Sequence, residues 1–177
     1  MESEEEQFTI CMLGNVNVGK SALMQTYNTE EIMTDKTMPT IGYDFCSKVL
    51  EMDGKSIKIV LNDTSGSERF FSITKNYIRS GNGIAMVYDI TDRGSFAALK
   101  KWHEKIIEIR EDDYSLLVVG NKADLKDDRA ISKEEGKKFA DQIKADFIET
   151  SCNDVGSVKI AFEMIGKTLI NYILYFI

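Results

Sequence analysis

The residues that most clearly suggest chemistry are two glycines, a lysine and a serine after a short apolar run. Gly14, Gly19, Lys20 and Ser21 form the pattern G-x-x-x-x-G-K-S, with strand-like residues before it and helix formers after it. In a loop of this kind, backbone N–H groups of residues 16–21 converge on an anion, and the helix N-terminus adds positive partial charge. The lysine reaches the β- and γ-phosphates, and the serine hydroxyl is a ligand of Mg²⁺. A chance glycine turn would lack these flanks, so the sequence predicts a phosphate-binding loop.

Two further segments carry residues that suit a metal–phosphate site. Asp63 ends an apolar run and is followed closely by Gly66, whereas Thr40 follows Pro39 in a loop. A strand-end aspartate can hold the Mg²⁺ shell, and a glycine can offer its N–H to a γ-phosphate without steric conflict. Alone, Thr40 is an ordinary loop residue, and an aspartate at a strand end is common. Their position after a phosphate loop makes Asp63 and Gly66 candidates for binding metal and phosphate.

A third motif indicates which base is bound. Asn121, Lys122 and Asp124 form Asn-Lys-x-Asp after an apolar strand, and Ser151 and Cys152 follow a later strand. A carboxylate can accept hydrogen bonds from guanine N1–H and its exocyclic amine, whereas adenine offers no such pair of donors. Asn121 can hold the loop and hydrogen-bond to guanine N7, and the aliphatic stem of Lys122 can pack on the ring face. The Cys152 N–H can donate to guanine O6, and Ser151 can hydrogen-bond to Asp124. By itself the motif is equally consistent with a polar turn, but with the phosphate loop it predicts guanine.

Composition and charge indicate the number of domains, the kind of partner and the cellular location. The chain has 177 residues, of which 43% are hydrophobic, and this suits one globular domain. Its formal net charge of −7 argues against a nucleic-acid partner, because such binding depends on basic residues. The three cysteines lack metal-ligand spacing and form no even set, which predicts a reducing, cytoplasmic location. Residues 1–7 are acidic, carry no secretory leader, and are expected to be flexible.

Apolar runs alternate with amphipathic stretches, with no repeat or internal domain boundary. The segment Met52-Asp53-Gly54-Lys55 predicts a hairpin, and the other strands alternate with helices. We therefore expect an α/β fold whose mostly parallel, doubly wound sheet has one antiparallel edge strand and helices on both faces, with ligands at the carboxyl ends of the strands. The predicted strands are Phe8–Leu13, Phe45–Met52, Lys55–Asp63, Gly83–Asp89, Leu116–Gly120 and Asp146–Glu149, and the predicted helices are Lys20–Asn28, Ser95–Glu111, Lys133–Ile143 and Val155–Leu174.

Taken in order, these motifs resemble those of the Ras superfamily of small GTPases, and most closely its Rab branch, over roughly residues 8–170. The Rab character rests on Ile41-Gly42-Tyr43-Asp44-Phe45, Glu68-Arg69-Phe70-Phe71-Ser72-Ile73-Thr74, Tyr77-Ile78-Arg79 and Val87-Tyr88-Asp89-Ile90-Thr91.

The resemblance implies a P-loop NTPase G domain over residues 8–177 that binds GTP or GDP with Mg²⁺ and has GTPase activity. It also implies that Ser21, Thr40 and Asp63 hold the metal, and that Lys20 and Thr40 take part in catalysis. The nucleotide-binding residues that it implies are Val16, Asn17, Val18, Gly19, Lys20, Ser21, Ala22, Pro39, Thr40, Gly66, Asn121, Lys122, Asp124, Ser151 and Cys152.

Two departures from the family pattern concern hydrolysis. Ser67 stands where the family usually has a glutamine that orients the attacking water, and a serine side chain is too short to reach it. Val16 stands where most relatives have glycine or serine, and its branched side chain should crowd the catalytic space. Both predict slow hydrolysis. A non-catalytic module that holds nucleotide as a structural cofactor is the alternative, whereas Asp124 argues against an adenine-using enzyme.

The remaining expectations concern partners. The resemblance implies an exchange factor, and effectors that bind switch regions around residues 30–45 and 64–80 and a surface formed by Phe45, Asn62 and Tyr77. In relatives an aromatic residue usually takes the place of Asn62, so effector choice should differ. No cysteine follows Cys152, so the chain as given has no prenylation site or other membrane anchor. Its apolar end predicts a fragment that continues into a further C-terminal segment. The resemblance implies that the protein acts at the periphery of endomembranes.

Overall fold

A six-stranded sheet runs through the computed structural model, which describes residues 6–32, 43–52 and 54–175. The strands are β1 (Glu6–Leu13), β2 (Tyr43–Met52), β3 (Lys55–Thr64), β4 (Gly83–Asp89), β5 (Ser115–Asn121) and β6 (Asp146–Glu149). The helices are α1 (Lys20–Thr29), α2 (Phe71–Ser80), α3 (Arg93–Ile109), α4 (Lys133–Gln142) and α5 (Val155–Tyr175), and a 3₁₀ turn, Glu68–Phe70, precedes α2.

The sheet has the order β2-β3-β1-β4-β5-β6, in which only β2 runs antiparallel to its neighbour. Met52 lies opposite Lys55 in the β2–β3 register, so the predicted hairpin is confirmed. The predicted mostly parallel sheet with one antiparallel edge strand is confirmed as well. Because β1, β3, β4, β5 and β6 are parallel, their carboxyl ends meet at one edge of the sheet, where ligands bind in such folds.

Helices cover both faces of the sheet, which explains why its central strands are continuously apolar. Every residue of β4 and of β5 is buried. On one face, α1 and α5 pack side chains such as Leu23 and Phe162 against the sheet. On the other, α2, α3 and α4 contribute Ile78, Leu99 and Ala140. The two cores hold the strand ends, and the loops that follow them, in fixed positions.

Helix α2 was not among the predicted helices, because its sequence gives only a weak helical pattern. Of its ten residues only Thr74 and Ile78 are buried, and one of these is polar. The helix is amphipathic in the structure, but its apolar stripe is too short to stand out from the loop sequence before it. The predicted switch segment around 64–80 therefore contains a strand end, a 3₁₀ turn and a helix.

Among the boundaries that differ from the prediction, those of α3 and the start of β1 have local causes. Helix α3 begins at Arg93 rather than Ser95 because the Asp92 carboxylate accepts a hydrogen bond from the Gly94 N–H at 2.8 Å. It ends before Arg110, whose guanidinium turns inward to donate to the carbonyl oxygens of Ile78 and Gly81. Strand β1 begins at Glu6, so residues 6 and 7, predicted to be flexible, pair with β3.

Candidate functional site

The loop between β1 and α1 has a backbone that requires glycine at two positions. Gly14 and Gly19 have φ angles of 145° and 99°, in the region that side chains disfavour. A Cβ atom on Gly14 would lie 2.2 Å from the Val87 carbonyl oxygen, and one on Gly19 would lie 2.3 Å from Asn121 Nδ2. The glycines therefore seat the loop directly on the ends of β4 and β5.

Lys20 is buried within this loop. Its Nζ donates to the carbonyl oxygens of Gly14 and Asn15, each at 2.9 Å. Burial lowers its pKa to about 8, and the nearby Asp63 and Cys11 only partly offset this. A polyanion bound in the loop would favour the charged form of the lysine. The loop thus places the Lys20 ammonium group where phosphate is predicted to bind.

The predicted metal ligands Ser21 and Asp63 lie together. Ser21, in the first turn of α1, donates from Oγ to Asp63 Oδ2 at 2.5 Å. Asp63 is held by the register of β3 beside β1, where it faces Met12, and its neighbour Thr64 donates to the Met12 carbonyl oxygen at 2.7 Å. A hydroxyl beside a carboxylate is an oxygen donor set that fits Mg²⁺.

The other expected metal ligand, Thr40, and its neighbour Pro39 lie outside the described residues. Within the described ranges, no group of three or more His, Cys, Asp or Glu side chains is placed to hold a metal ion. A metal bound at Ser21 and Asp63 would therefore need further oxygen ligands, and nucleotide phosphates are suited to supply them.

The segment after β3 packs tightly on the phosphate loop. A Cβ atom on Gly66 would lie 2.4 Å from the Val16 backbone nitrogen and 2.6 Å from the Gly14 carbonyl oxygen, so no larger residue fits. The Val16 side chain is 45% exposed beside this contact. Ser67, next in the chain, turns its hydroxyl toward the Arg69 N–H, which donates to it at 3.4 Å. Ser67 thus directly follows the residue that packs against the Val16 backbone.

Asn121 and Lys122 join the loop after β5 to the phosphate loop. Asn121 Nδ2 donates to the carbonyl oxygen of Val18 at 2.9 Å, and its Oδ1 accepts from the Thr150 hydroxyl at 3.1 Å. Lys122 Nζ donates to the Asn17 carbonyl oxygen at 3.0 Å. The predicted base-binding and phosphate-binding segments are therefore one connected structure, in which Asn121 is buried.

Asp124 accepts hydrogen bonds from the loop after β6. Ser151 Oγ donates to its Oδ1 at 2.6 Å, and Asn153 Nδ2 donates to its Oδ2 at 3.0 Å. Burial opposes ionisation of Asp124, but these two hydrogen bonds, a backbone hydrogen bond and the charge of Lys122 together outweigh it and lower its pKa. Cys152, between them, is half-buried. The carboxylate is thus held ionised at the end of the site where guanine is predicted.

Four residues near the site were not identified from the sequence. Trp102 on α3 is buried and donates from Nε1 to Asn15 Oδ1 in the phosphate loop at 3.1 Å. Asp89, at the end of β4, forms an ion pair with Lys122, whose Nζ lies 2.5 Å from its Oδ2. Thr150 and Asn153 contribute the hydrogen bonds described above. All four contacts join segments that are far apart along the chain, so residue spacing in the sequence does not reveal them.

The three residues expected to form an effector surface differ in exposure. Phe45 on β2 is 60% exposed, Tyr77 on α2 is half-buried, and Asn62 on β3 is only 6% exposed. Phe45 and Asn62 lie opposite each other in the β2–β3 register. Asn62 therefore offers little exposed surface in this structure, and its part in effector binding stays a prediction.

Comparison with known proteins gives consistent matches. The family model described as Ras family matches residues 9–171. Ras-related protein Rab-11B of Dictyostelium discoideum is 43% identical over 166 residues, which cover 94% of this chain and 73% of that protein. GTP-binding protein YPT1 of Saccharomyces cerevisiae is 42% identical over 170 residues, covering 96% and 82% respectively. Ras-related protein RABD2a of Arabidopsis thaliana is 42% identical over 162 residues, covering 92% and 79%. The matched region contains every motif of the site.

Within the described part of the chain, no helix combines the length and the apolar character that a transmembrane span requires.

Proposed function

The chain belongs to the Ras family, in its Rab branch, and from that we infer that it is a GTP/GDP switch that acts in vesicle traffic. Members of this family are GTPases that bind guanine nucleotide, generally with Mg²⁺. We propose in addition that its hydrolysis is impaired, and that the G domain spans residues 8–177.

The observation that carries nucleotide binding is the link between the two halves of the site. Asn121 donates a hydrogen bond to the Val18 carbonyl oxygen of the phosphate loop. Asp124, two residues after Lys122, is ionised, and both of its carboxylate oxygens can accept hydrogen bonds from a base. A carboxylate in this place accepts from guanine N1–H and the exocyclic amine, and an adenine base cannot supply those donors. The connection sets the distance between base and phosphate subsites, and this supports binding of a whole guanine nucleotide.

The phosphate end supports Mg²⁺ binding together with the nucleotide. Ser21 and Asp63 already lie in contact, and Lys20 is buried beside them with a lowered pKa. When bound, the metal would neutralise charge on the phosphates. The role of this chain is then to position phosphate through the loop and Lys20, and to hold the metal through one hydroxyl and one carboxylate.

Impaired hydrolysis rests on Val16 and Ser67. The Ser67 hydroxyl is turned toward the Arg69 N–H and ends far short of where a glutamine amide would reach. Val16 adds a branched side chain beside the tight contact between Gly66 and the phosphate loop. Together they deprive the attacking water of its usual orienting group and narrow the space beside it. The same two residues support the second candidate, a module that binds nucleotide without turning it over.

Partners follow from the family assignment. We propose that an exchange factor replaces GDP by GTP, and that effectors bind the switch segments with Phe45 and Tyr77 at the surface. The protein would bind effectors in its GTP state, in the cytoplasm and at the periphery of endomembranes. Asn62 stands where relatives usually have an aromatic residue, so the aromatic surface is smaller, and we expect a set of effectors that differs from those of its relatives.

The nucleotide bound to the purified protein tests this proposal. Protein purified in buffer with Mg²⁺ and then denatured should release GDP or GTP in near-stoichiometric amounts. A competition assay with a fluorescent guanine nucleotide should show displacement by GDP and none by ADP at the same concentration. Asp124→Ala is the matched variant, because it removes the base-selecting carboxylate and leaves the phosphate loop intact. Equal displacement of the probe by ADP and GDP would contradict the proposal.

A further inference from the structure

Asn153 makes a contact with the base-selecting carboxylate that has no place in the motifs described above. Its Nδ2 donates to Asp124 Oδ2 at 3.0 Å, while Ser151 Oγ donates to Asp124 Oδ1 at 2.6 Å. Each oxygen of the carboxylate therefore has its own side-chain donor. We propose that Asn153 is a positioning residue that orients the Asp124 carboxylate toward guanine and so determines base selectivity. The inference rests on the proposed binding of guanine nucleotide at this site.

The hydrogen-bonding capacity of a carboxylate supports this role. An ionised carboxylate has about four lone-pair sites, two on each oxygen. Ser151 and Asn153 use one site on each oxygen of Asp124, so one site on each oxygen remains. Guanine presents two donors toward this group, the N1–H and the exocyclic amine, and they need one acceptor each. Asn153 and guanine can therefore bind the carboxylate at the same time.

The contact also restricts rotation of the carboxylate. A single donor on Oδ1 would leave the group free to turn about its Cβ–Cγ bond, which is a soft torsion. A second donor on Oδ2 fixes the plane of the group before the nucleotide arrives, and pre-organisation of this kind raises affinity and selectivity. The neutral amide adds no charge of its own, so it orients the carboxylate and leaves it available to the base. The lowered pKa of Asp124 agrees with two donors on the charged form.

Asn153 is itself held in place by its own loop. Its backbone N–H donates to Ser151 Oγ at 3.0 Å, and the Asp154 N–H donates to the Ser151 carbonyl oxygen at 2.9 Å. The Ser151 N–H in turn donates to Ser157 Oγ, at the start of α5, at 3.1 Å. The loop after β6 is thus a bonded turn attached to a long helix, and the Asn153 side chain projects from a fixed backbone.

Inosine diphosphate provides a direct probe, because it lacks the exocyclic amine and can make only one of the two hydrogen bonds to Asp124. Affinities for GDP and inosine diphosphate are measured by calorimetry on the whole chain and on Asn153→Ala and Asn153→Asp. We expect the GDP preference over inosine diphosphate to fall about threefold or more in Asn153→Ala, the scale of one net hydrogen bond. Asn153→Asp keeps the shape but removes the donor and adds a like charge, so its preference should fall at least as far.

Asn171→Ala is the matched control, because it makes the same substitution at an exposed position of α5 and removes no donor to Asp124. It should keep the GDP preference. An unchanged preference in Asn153→Ala, an equal fall in Asn171→Ala, or tighter GDP binding in Asn153→Ala would overturn the proposal, the last because Asn153 would then be occupying the place of the base. In those cases a retained preference for GDP over ADP would leave the guanine site standing. Loss of that preference in the unmodified chain would instead reject guanine binding itself.

Discussion

The side-chain amide of Asn121 donates a hydrogen bond to the carbonyl oxygen of Val18 at 2.9 Å, across 103 positions of the chain. This bond fixes the loop after β5 on the phosphate loop, and the Thr150 hydroxyl holds the same amide from the other side. The same loop approaches Val87 and Asn121 closely at its two glycines. Contacts among loops at one edge of the sheet therefore hold the site together.

Replacing Asn121 by alanine should destabilise the fold as well as the site. The substitution leaves the Val18 carbonyl and the Thr150 hydroxyl without their partner in a buried place, which costs about 2 kcal/mol or more. Chemical denaturation in the absence of added nucleotide measures this directly. Asn171→Ala, at an exposed position of α5, should change the free energy of unfolding by less than about 0.5 kcal/mol. Equal effects of the two variants would show that the Asn121 contact contributes little.

Ser151→Ala should raise the pKa of Asp124. Burial already opposes ionisation, and the variant removes the shorter of the two side-chain hydrogen bonds that favour it. The folded-state pKa of Asp124 lies below its unfolded value, so the ionised group contributes stability above about pH 4. This contribution is lost as the pH falls through the folded-state pKa, and in Ser151→Ala it should be smaller.

Carboxyl-carbon NMR titration gives the pKa of Asp124 in each variant. Ser56→Ala, at the opposite end of β3 from the site, should leave this pKa unchanged. If Ser151→Ala also left it unchanged, the Ser151 hydroxyl would not be what holds the carboxylate ionised.

Asp124→Asn should move base preference from guanine toward xanthine. The amide can donate to the O2 of xanthine, whereas the carboxylate of Asp124 cannot, and the amide loses one of the two acceptors that guanine needs. Competition of GDP and xanthosine diphosphate against a fluorescent GDP analogue measures the change. Asp128→Asn, an exposed change in the same connection, should keep guanine preference. Guanine preference retained in Asp124→Asn would show that this carboxylate does not read the base.

Ser21→Asn should weaken GTP more than GDP. Ser21 and Asp63 are the proposed metal ligands among the described residues, and the γ-phosphate of GTP is expected to share that ion. The GTP/GDP affinity ratio should fall by about tenfold or more in Mg²⁺, the range of losses seen when metal sites are altered. Ser21→Thr keeps the hydroxyl and should keep the ratio.

Chelation provides the control for the metal. With excess EDTA, the unmodified protein and Ser21→Asn should show the same GTP/GDP ratio, because neither then has the ion. A ratio that is equal in the two proteins with Mg²⁺ present would reject Ser21 as a metal ligand.

The parts of this protein that were predictable from sequence are those that depend on local pattern. Gly14, Gly19 and Lys20 lie within seven consecutive residues, and their spacing reflects backbone constraints that are visible in the structure as φ angles and close contacts. The central strands β4 and β5 were predictable because buried strands form continuous runs bounded by turn residues. Strands β2 and β3 were predictable because alternating residues flank a hairpin turn. The mostly parallel order of the sheet follows from alternation of the other strands with helices.

The parts that were missed depend on packing between distant segments. Helix α2 has too few buried residues for a helical period to be visible in its sequence. The burial of Asn62 depends on its position on an interior strand, which its residue type does not reveal. The Asn153 contact arises because two loops after adjacent strands meet at one edge, and asparagine in a loop normally predicts only a turn. Trp102 reads as a core residue, and its hydrogen bond to Asn15 is visible only once α3 is packed beside the loop.

The hydrolysis rate is the property in which this chain should differ most from its relatives. In Ras, glutamine and an arginine finger together account for an acceleration of about 10⁵, or roughly 7 kcal/mol. With Ser67 and Val16 in place, we expect intrinsic turnover no faster than the order of 10⁻⁴ s⁻¹ that characterises unstimulated Ras. Ser67→Gln alone should help little while Val16 crowds the space, and Val16→Gly alone should help little while no group orients the water.

Single-turnover GTP hydrolysis by the unmodified chain, the two single variants and the double variant is therefore the most direct test. GTP affinity is measured for each, so that altered binding is not mistaken for altered chemistry. We expect the double variant to exceed the product of the two single effects by about fivefold or more, the coupling seen between groups that act together. Turnover by the unmodified chain as fast as by the double variant would contradict an impaired switch and would mean that another residue orients the water.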